Sequence, residues 1–517
     1  MSSDKPIKLT IFSNRRGQNH PSIPYYNKEN NMEKKDLKPA GVFKYFEEIC
    51  QVPRPSKKEE KMIAYLKAFG AKHNLETKVD EAGNVLIKKP ATPGKENLQT
   101  VVLQSHIDMV CEKNNDVQHD FLTDPIVTEI DGEWLKAKGT TLGADNGIGV
   151  ATELAILADD SIEHGPLECL FTVDEETGLT GAFALKEGFM SGDILLNLDS
   201  EDEGEIYIGC AGGIDSVAEF TYKEIEVPAG YFFFKVEVKG LKGGHSGGDI
   251  HLGRGNANKI LNRFLTRIAD NHDLYLCEIN GGNLRNAIPR EAYAVCAVPE
   301  DAKHDVRTEL NIFASEMEDE LSVVEPDLKL VLESETPRKT AIDQDTANRL
   351  MKALYAAPHG VYAMSQDIPG LVETSTNLAS VKMKPNNIIR IETSQRSSIL
   401  SARNDMANTV RAVFRLAGAD VTFGEGYPGW KPNPHSAILE VAAESYKRLF
   451  GVDAKVKAIH AGLECGLFLD KYPTLDMISF GPTLTGVHSP DERMLIPTVD
   501  KFWKHLLDIL VHVPVKK

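Results

Sequence analysis

The sequence predicts an α/β fold in which a mainly parallel sheet, flanked by helices, is interrupted by an inserted α+β domain. Three observations predict it. Helix-like and strand-like segments alternate from about residue 60 to residue 212, and strands with one polar face dominate residues 213–426. At 517 residues, the chain is also longer than one hydrophobic core usually serves, so two domains are expected.

The first predicted domain combines residues 32–212 with residues 427–517. Its helices are indicated by the apolar spacing of KMIAYLKAFGAK (61–72) and GIGVATELAILADD (147–160). Its strands are indicated by short apolar runs that end in polar residues, namely VVLQSHIDMV (101–110), LECLFTVDE (167–175) and DILLNLDS (193–200). Strands that alternate with helices form parallel sheets, and ligands bind such sheets beyond the carboxyl ends of the strands.

The inserted segment, residues 213–426, has a different pattern of polar and apolar residues. Clean alternation in FFFKVEVKG (232–240), with further strands at 293–298 and 388–398, predicts an antiparallel sheet with helices on one face. The run GYPGWKPNP (426–434), rich in glycine and proline, marks a linker and a candidate hinge. The inserted domain could form a homodimer interface or serve only as a lid that closes over a substrate.

Composition limits the partners that the chain can have. A formal net charge of −18 argues against nucleic-acid binding, which requires lysine and arginine at the phosphates. No segment has the ~20 apolar residues of a membrane span, and no apolar run near the start predicts a signal peptide. Seven scattered cysteines without a C-x-x-C pair indicate a reducing compartment, so we expect the cytoplasm. Residues 1–31 are expected to be a disordered tail or an upstream extension before an internal start.

Polar residues that could bind metal follow several of the predicted strands. His106 and Asp108 close the first of them; residues two apart share a face, so Asp108 is placed to orient a metal-bound His106. Asp145 precedes a predicted helix, where it is either an N-cap or a carboxylate that bridges two metal ions. Asp199 and His488 follow two further strands. Taken alone, each residue also has an ordinary reading as a surface histidine, a cap or a solvated acid.

Glu175 and Glu176 close another predicted strand, LFTVDEE. Adjacent acids at a strand end are usually solvated. Neighbouring strand residues point in opposite directions, however, so one acid could bind metal while the other acts as general base. Their order on the chain does not say which. Because all these polar residues lie at one edge of a predicted sheet, a dinuclear metal site is the economical interpretation.

Several motifs resemble a known enzyme family. SHIDMV, GADNGIG, DEETGL, NLDSE and VHSPDE resemble the co-catalytic dizinc peptidases related to aminoacylase, carboxypeptidase G and peptidase T. LGADNGIG, GGHSGGDIH, YPGWKPN and HAGLECGLF resemble, more narrowly, the aminoacyl-histidine (Xaa-His) dipeptidase branch. The resemblance runs from about Met32 to the C-terminus in the expected order.

The resemblance implies a role for each candidate in the metal site. Asp145 would bridge two zinc ions, with the remaining ligands divided between them: His106 and Asp199 at one, Glu176 and His488 at the other. Glu175 would be the base that activates a water, and Asp108 would orient His106. Ligands without cysteine also suit Mn²⁺ or Co²⁺.

The resemblance also implies residues that contact the substrate. His245, in LKGGHSGGDIH, would stabilise the developing oxyanion, although a solvated histidine in a glycine-rich turn is the plain alternative. Asn286 and Arg396 would grip the substrate carboxylate, with Arg390 on the same predicted strand as the rival arginine. Glu464 could pair with the free α-amino group of a dipeptide, or serve instead in a salt bridge or as a helix cap.

Three functions are compatible with these residues. The first is a dipeptidase acting on unblocked dipeptides, including Xaa-His and carnosine-like substrates, which the branch motifs favour. The second is a deacylase that uses the same site on N-acyl amino acids. The third is a binding module without catalysis, which would have lost a ligand or the base; none is lost here.

Overall fold

The computed structural model describes residues 33–516, so the prediction for residues 1–31 lies outside the described residues. The α-helices of this part of the chain are α1 Ala40–Cys50, α2 Glu60–Lys72, α3 Ala144–Ala158, α4 Glu175–Gly178, α5 Thr180–Ala184, α6 Ala257–Asn271, α7 Lys303–Leu321, α8 Gln344–Ala356, α9 Leu400–Leu416, α10 Ala437–Phe450, α11 Cys465–Lys471 and α12 Ile496–His512. None of these helices combines the length and the apolar character that crossing a membrane requires.

The strands fall into three stretches of the chain. The first stretch holds β1 Glu76–Val79, β2 Val85–Lys89, β3 Val101–His106, β4 Thr128–Asp131, β5 Trp134–Ala137, β6 Leu167–Thr172, β7 Ile194–Asn197 and β8 Glu205–Cys210. The second holds β9 Gly212–Thr221, β10 Glu224–Glu226, β11 Tyr231–Lys239, β12 Tyr275–Gly281, β13 Ala292–Pro299, β14 Lys329–Ser334, β15 Thr340–Ile342, β16 Gly360–Met364, β17 Val372–Lys384, β18 Ile388–Ser397 and β19 Asp420–Phe423. The third holds β20 Lys455–Ile459, β21 Asp476–Ser479, β22 Leu484–Thr485 and β23 Arg493–Leu495.

An eight-stranded sheet in the order β1-β2-β6-β3-β7-β21-β8-β20 carries most of the first and third stretches. Its centre, β6-β3-β7-β21, is parallel, whereas β1, β2 and the β21–β8 contact are antiparallel. Every residue of β3 is buried, because helices cover both faces and form separate apolar cores there. The predicted α/β class is confirmed, with a sheet that is parallel in the middle and mixed at its margins.

A nine-stranded antiparallel sheet carries most of the second stretch, in the order β14-β11-β13-β12-β17-β18-β9-β19 with β16 beside β17. Helices α6 to α9 bury their apolar sides against it and form one further core. The alternation that predicted β11 is visible in its burial, since inward and outward residues alternate along most of the strand. We call this sheet with α6 to α9 the insert, and the eight-stranded sheet with its helices the core unit.

The chain crosses between the two units at two adjacent places. Residue pairs Cys210–Trp430 and Gly213–Tyr427 form isolated β-bridges, which hold the outgoing and returning segments side by side. The segment 424–436 contains no helix or strand, in agreement with the predicted linker. The boundaries at 212/213 and 426/427 stay a prediction, which this division of strands between two sheets supports.

Candidate metal centre and active site

The candidate ligands gather at one edge of the eight-stranded sheet. His106 is the last residue of β3, Asp199 lies two residues after β7, and His488 lies between β22 and β23, beyond β21. Glu176 lies on α4, which follows β6, and Asp145 lies in the first turn of α3. Because the carboxyl ends of parallel strands meet at the same edge of a sheet, the five side chains converge there.

Asp145 lies at the centre of this cluster. Its Oδ1 is 3.1 Å from His106 Nε2, and its Oδ2 is 3.1 Å from His488 Nε2. His106 Nε2 is also 3.3 Å from Asp199 Oδ1, and His488 Nε2 is 3.0 Å from Glu176 Oε2. The Asp145 carboxylate thus lies between two pairs of side chains, and each pair consists of one histidine and one further acid.

The chemistry of this donor set fits divalent cations. Imidazole nitrogens and carboxylate oxygens are ligands that zinc, manganese and cobalt accept. Glu176 Oε1 is buried and has no hydrogen-bond partner among the described residues. Burial, together with Asp145 and Glu176, raises the pKa of Asp199 to about 6, and hydrogen bonds to Asp145 and Glu176 raise the pKa of His488 to about 11. Cations between the ligands would relieve this crowding of negative charge.

Asp108 holds two parts of the site together. Its Oδ1 lies 3.3 Å from His106 Nδ1, which directs His106 Nε2 toward the cluster. Asp108 also accepts hydrogen bonds from the backbone N–H groups of Glu175 and Glu176, at 3.0 and 3.2 Å, and from the Ser56 hydroxyl at 2.8 Å. Burial opposes ionisation, but the bonds from His106 and Ser56 prevail and lower the pKa of Asp108. This buried carboxylate therefore orients one histidine and the turn that carries the two glutamates.

Glu175 and Glu176 do not close a strand, so the predicted strand alternation at this pair is wrong. β6 ends at Thr172, and the two acids form the first turn of the short helix α4. The strand stops because Asp174 adopts a left-handed backbone conformation, with φ of 50°, and its carboxylate accepts hydrogen bonds from two threonine hydroxyls of the turn. Both glutamates line the cavity described below. Burial raises the pKa of Glu175 well above its ordinary value, and neighbouring carboxylates add to this rise.

Two buried residues that the sequence did not single out fix the loop before α3. Glu492, only 2% exposed, accepts hydrogen bonds from four consecutive backbone N–H groups of residues 142–145, at 2.7, 3.0, 2.8 and 3.3 Å. Arg54 donates to the carbonyl oxygens of Asp108 and Gly143. Both residues position segments that carry ligands. The signal for Glu492 was its place at the end of the motif VHSPDE.

A cavity of about 390 Å³ opens onto the cluster, and one of its walls comes from the insert. His245 is the insert residue that lines the cavity, together with residues 199–202, 459 and 461–463 of the core unit. The Nδ1 atom of His245 accepts hydrogen bonds from backbone N–H groups of the turn that follows it. Burial and the charge of Arg396 lower the pKa of His245 to about 4, so the ring is neutral and carries its proton on Nε2. His245 can therefore donate a hydrogen bond into the cavity.

The predicted substrate residues of the insert lie beside His245 rather than on the cavity wall. Arg396, 7% exposed, donates to the hydroxyls of Ser246 and Tyr427. Its positive charge has no carboxylate partner within residues 33–516, whereas Arg390 is engaged by Glu219 and Glu392. The structure thus favours Arg396 over Arg390 as the arginine available to an anion.

Asn286 and Glu464 are also outside the cavity wall. Asn286 is exposed on a loop whose backbone carbonyl accepts a hydrogen bond from the N–H of Ser246. Glu464 is fully buried and accepts hydrogen bonds from Gln104, at 2.7 Å, and Thr172, at 2.8 Å. Both hydrogen bonds end on Oε2, and Oε1 is buried without a hydrogen-bond partner among the described residues. The contact of Glu464 with a substrate amino group stays a prediction. Of its alternatives, the structure shows neither: Glu464 precedes α11 but its side chain accepts no capping hydrogen bond, and it forms no ion pair within residues 33–516.

An acid that the sequence did not single out does line the cavity. Glu201 lies two residues after Asp199, in the motif NLDSE, and its side chain faces the cavity beside Asp202 and Tyr207. Burial and the charges of Asp145 and Asp199 raise the pKa of Glu201 to about 8. The cavity therefore has a neutral histidine backed by an arginine on the insert and an additional acid on the core unit.

Comparison with known proteins assigns the family. The sequence model of one family, peptidase family M20/M25/M40, matches residues 102–512. The chain belongs to this family. Its M20 relatives include the cytosol non-specific dipeptidase of Escherichia coli (strain K12), which is 46% identical over 484 residues, covering 94% of this chain and 100% of the relative. M20 peptidases are metal-dependent enzymes, in agreement with the cluster around Asp145.

Solved structures of other proteins agree with the fold. The aminoacylhistidine dipeptidase from Vibrio alginolyticus matches with a TM-score of 0.86 and 46% identity, over 94% of this chain and 99% of that one. A tripeptidase from Staphylococcus aureus matches with a TM-score of 0.54 and 17% identity, over 92% of this chain and 99% of that one, which shows a shared fold alone. The resemblance inferred from the motifs is confirmed at the level of the family and of its dipeptidases.

Proposed function

We propose that this M20 chain is a metal-dependent dipeptidase that hydrolyses unblocked dipeptides, including Xaa-His substrates such as carnosine. One observation carries the proposal: the two oxygens of Asp145 face two separate histidine–carboxylate pairs, and Glu175 and His245 line the same cavity. The names of the relatives support it, since one is a non-specific dipeptidase and another an aminoacylhistidine dipeptidase. The cytosolic relative also supports a cytoplasmic location.

The residues of the site divide the work of amide hydrolysis. Two zinc ions, held by His106 and Asp199 on one side and by Glu176 and His488 on the other, with Asp145 between, would supply Lewis-acid chemistry. Glu175 takes a proton from the attacking water and transfers it to the leaving amine. His245 donates from Nε2 to the oxygen that gains negative charge, a contribution of the order of 3 kcal/mol for one such donor. Asp108 holds the His106 ring and the backbone of Glu175 in fixed positions relative to each other.

The cavity suits a short, unblocked peptide. A volume of about 390 Å³ lies near the lower end for ligand sites, which favours a dipeptide over a longer chain. The unpaired charge of Arg396, next to His245, attracts the carboxylate of the substrate, with Asn286 as a second contact. Glu201 also lines the cavity, and burial and the charges of Asp145 and Asp199 raise its pKa. Cations held by these two carboxylates would let Glu201 ionise and attract the α-ammonium group. A deacylase of N-acyl amino acids would have no use for this acid.

A dipeptide panel tests the proposal. Metal-depleted protein is restored with Zn²⁺, Mn²⁺ or Co²⁺ and assayed with Gly-His, β-Ala-His, Ala-Ala and their N-acetyl forms. We expect metal-dependent hydrolysis of the free dipeptides and a loss of about 10²- to 10⁴-fold in kcat for Glu175→Gln with unchanged metal content. Glu187→Gln, which alters an exposed acid, is the matched control. Faster hydrolysis of the N-acetyl forms, or a fully active Glu175→Gln protein, would contradict it.

A further inference from the structure

The insert and the core unit touch beside the cavity at the turn that follows His245. Gly247 of this turn packs against the backbone of His460, which belongs to the core-unit segment that lines the cavity. A Cβ atom on Gly247 would lie 2.1 Å from the carbonyl oxygen of His460 and 3.2 Å from Cδ of Arg396. Only glycine fits this approach, because an atom that close to a carbonyl oxygen forces one of the two segments to move.

The side chain of His460 also reaches across to the insert. His460 is 6% exposed, and its Nε2 lies 2.7 Å from the hydroxyl of Ser375 on β17. Ser375 is itself buried, and it pairs directly with Arg396 on the neighbouring strand β18. The hydrogen bond between His460 and Ser375 therefore links the core unit to the strand residue next to Arg396, the arginine that we propose attracts the substrate.

A third contact strengthens the same region. Tyr427, on the segment that returns to the core unit, accepts a hydrogen bond from Arg396 at 2.8 Å. The ring of Tyr427 packs on Gly462, where a Cβ atom would lie 3.0 Å from it. Residues 460–462 thus meet the insert at Gly247, at Ser375 and, through Tyr427, at Arg396. Their immediate neighbours Ile459 and Leu463 face the cavity.

We propose that this contact is the docking point that fixes His245 and Arg396 over the metal centre, and that His460 is a positioning residue for substrate binding. The proposal rests on the dipeptidase function proposed above. All five metal ligands belong to the core unit, whereas His245 and Arg396 belong to the insert. Disturbing the docking point should therefore weaken substrate binding and leave metal binding intact. A misplacement of about 1 Å is enough to cost on the order of 10²-fold in rate.

Gly247→Ala and Gly248→Ala form a matched pair that tests this docking point. A Cβ atom on Gly248 meets only His245 Nδ1, at an ordinary 3.7 Å, and the residue is exposed. We expect Gly247→Ala to lower kcat/KM for Gly-His at least 10-fold, with unchanged zinc content, and Gly248→Ala to stay within two-fold. Equal kcat/KM values for the two variants would overturn the proposal.

The hydrogen bond is tested separately. Ser375→Ala should raise KM by about 2- to 12-fold, as the loss of one hydrogen bond between neutral groups does, with a smaller change in kcat. His460→Ala should do the same, His460→Gln should recover most of the loss, and the double variant Ser375→Ala/His460→Ala should be no worse than either single one. Additive losses, or a Gln variant as poor as the Ala variant, would contradict a positioning role.

Hydrogen exchange separates failure of the docking point from failure of the proposed function. Backbone amides of residues 245–252 should exchange faster in Gly247→Ala than in the parent or in Gly248→Ala, whether or not the protein hydrolyses dipeptides. If the parent protein hydrolyses none, the proposed function fails while this measurement still decides the contact. Identical exchange in all three proteins would show that Gly247 does not hold the insert in place.

Discussion

Replacement of Glu492 by glutamine tests how the loop that carries Asp145 is held. The carboxylate accepts four backbone N–H groups of residues 142–145 with its two oxygens. Glutamine keeps one oxygen, so two of these N–H groups would face an amide NH₂ that also donates. Each buried, unsatisfied N–H costs about 1–3 kcal/mol, so we expect the free energy of unfolding to fall by about 2–6 kcal/mol. Because Asp145 moves with the loop, zinc affinity should fall by about 10- to 100-fold.

Two measurements check this expectation for Glu492→Gln. Urea unfolding of the metal-free protein gives the change in free energy, and competition with a chromophoric chelator gives zinc affinity. Asp491→Asn is the control, because it removes a neighbouring charge that is exposed to solvent. If Glu492→Gln lost stability and kept parental zinc affinity, the loop would not position Asp145. If it lost neither, the four hydrogen bonds would not contribute as argued.

Three further predictions follow from the cavity, the metal centre and a buried histidine. Glu201→Gln should lower kcat/KM for free Gly-His at least 10-fold and change kcat/KM for N-acetyl-Gly-His less than two-fold, whereas Asp202→Asn should change neither value. An unchanged ratio of kcat/KM between the free and the N-acetyl dipeptide in Glu201→Gln would contradict the role of Glu201. Zinc at 100 times its dissociation constant should raise the free energy of unfolding by about 2.7 kcal/mol over the metal-free protein, measured by urea titration; no rise would argue against binding to the folded state. Burial lowers the pKa of His505 to about 4, below the ~6.5 of an unfolded histidine, so its contribution to stability is complete above pH 6.5 and is lost as pH falls toward 4. At pH 5 the loss is about 2 kcal/mol, and His505→Gln should remove that part of the difference in unfolding free energy between pH 7.5 and pH 5.

The convergence of the candidate metal ligands at one sheet edge was largely predictable, because these residues follow a rule of chain geometry. His106 and Asp199 come directly after apolar runs, and parallel strands bring their carboxyl ends to one edge. Apolar runs are readable in a sequence, so the edge on which the polar residues gather is readable as well. The fold class follows from the same patterns, including the clean alternation that marks β11.

Contacts between distant segments were not predictable. Nothing in the sequence near Glu464 indicates that the side chain is buried outside the cavity wall, with its Oε2 accepting hydrogen bonds from Gln104 and Thr172. The motif VHSPDE drew attention to the segment of Glu492 but not to its role, because its partners are backbone N–H groups about 350 residues earlier, which leave no trace in side-chain type. The strand ending at Glu175 was misjudged because a single left-handed residue, Asp174, turns the chain.

The two bridges between the crossing segments have a consequence for how the protein is made. His106 and His488 are separated by 382 residues, the difference of their numbers, and the insert lies between them. Because Cys210 meets Trp430 and Gly213 meets Tyr427, a folded insert holds the start of residues 427–516 beside the end of residues 33–212. Contacts between segments that are distant in the chain form slowly, because the loop between them must close first. The complete set of candidate ligands therefore assembles only after residues 427–516 have joined the earlier part of the core unit.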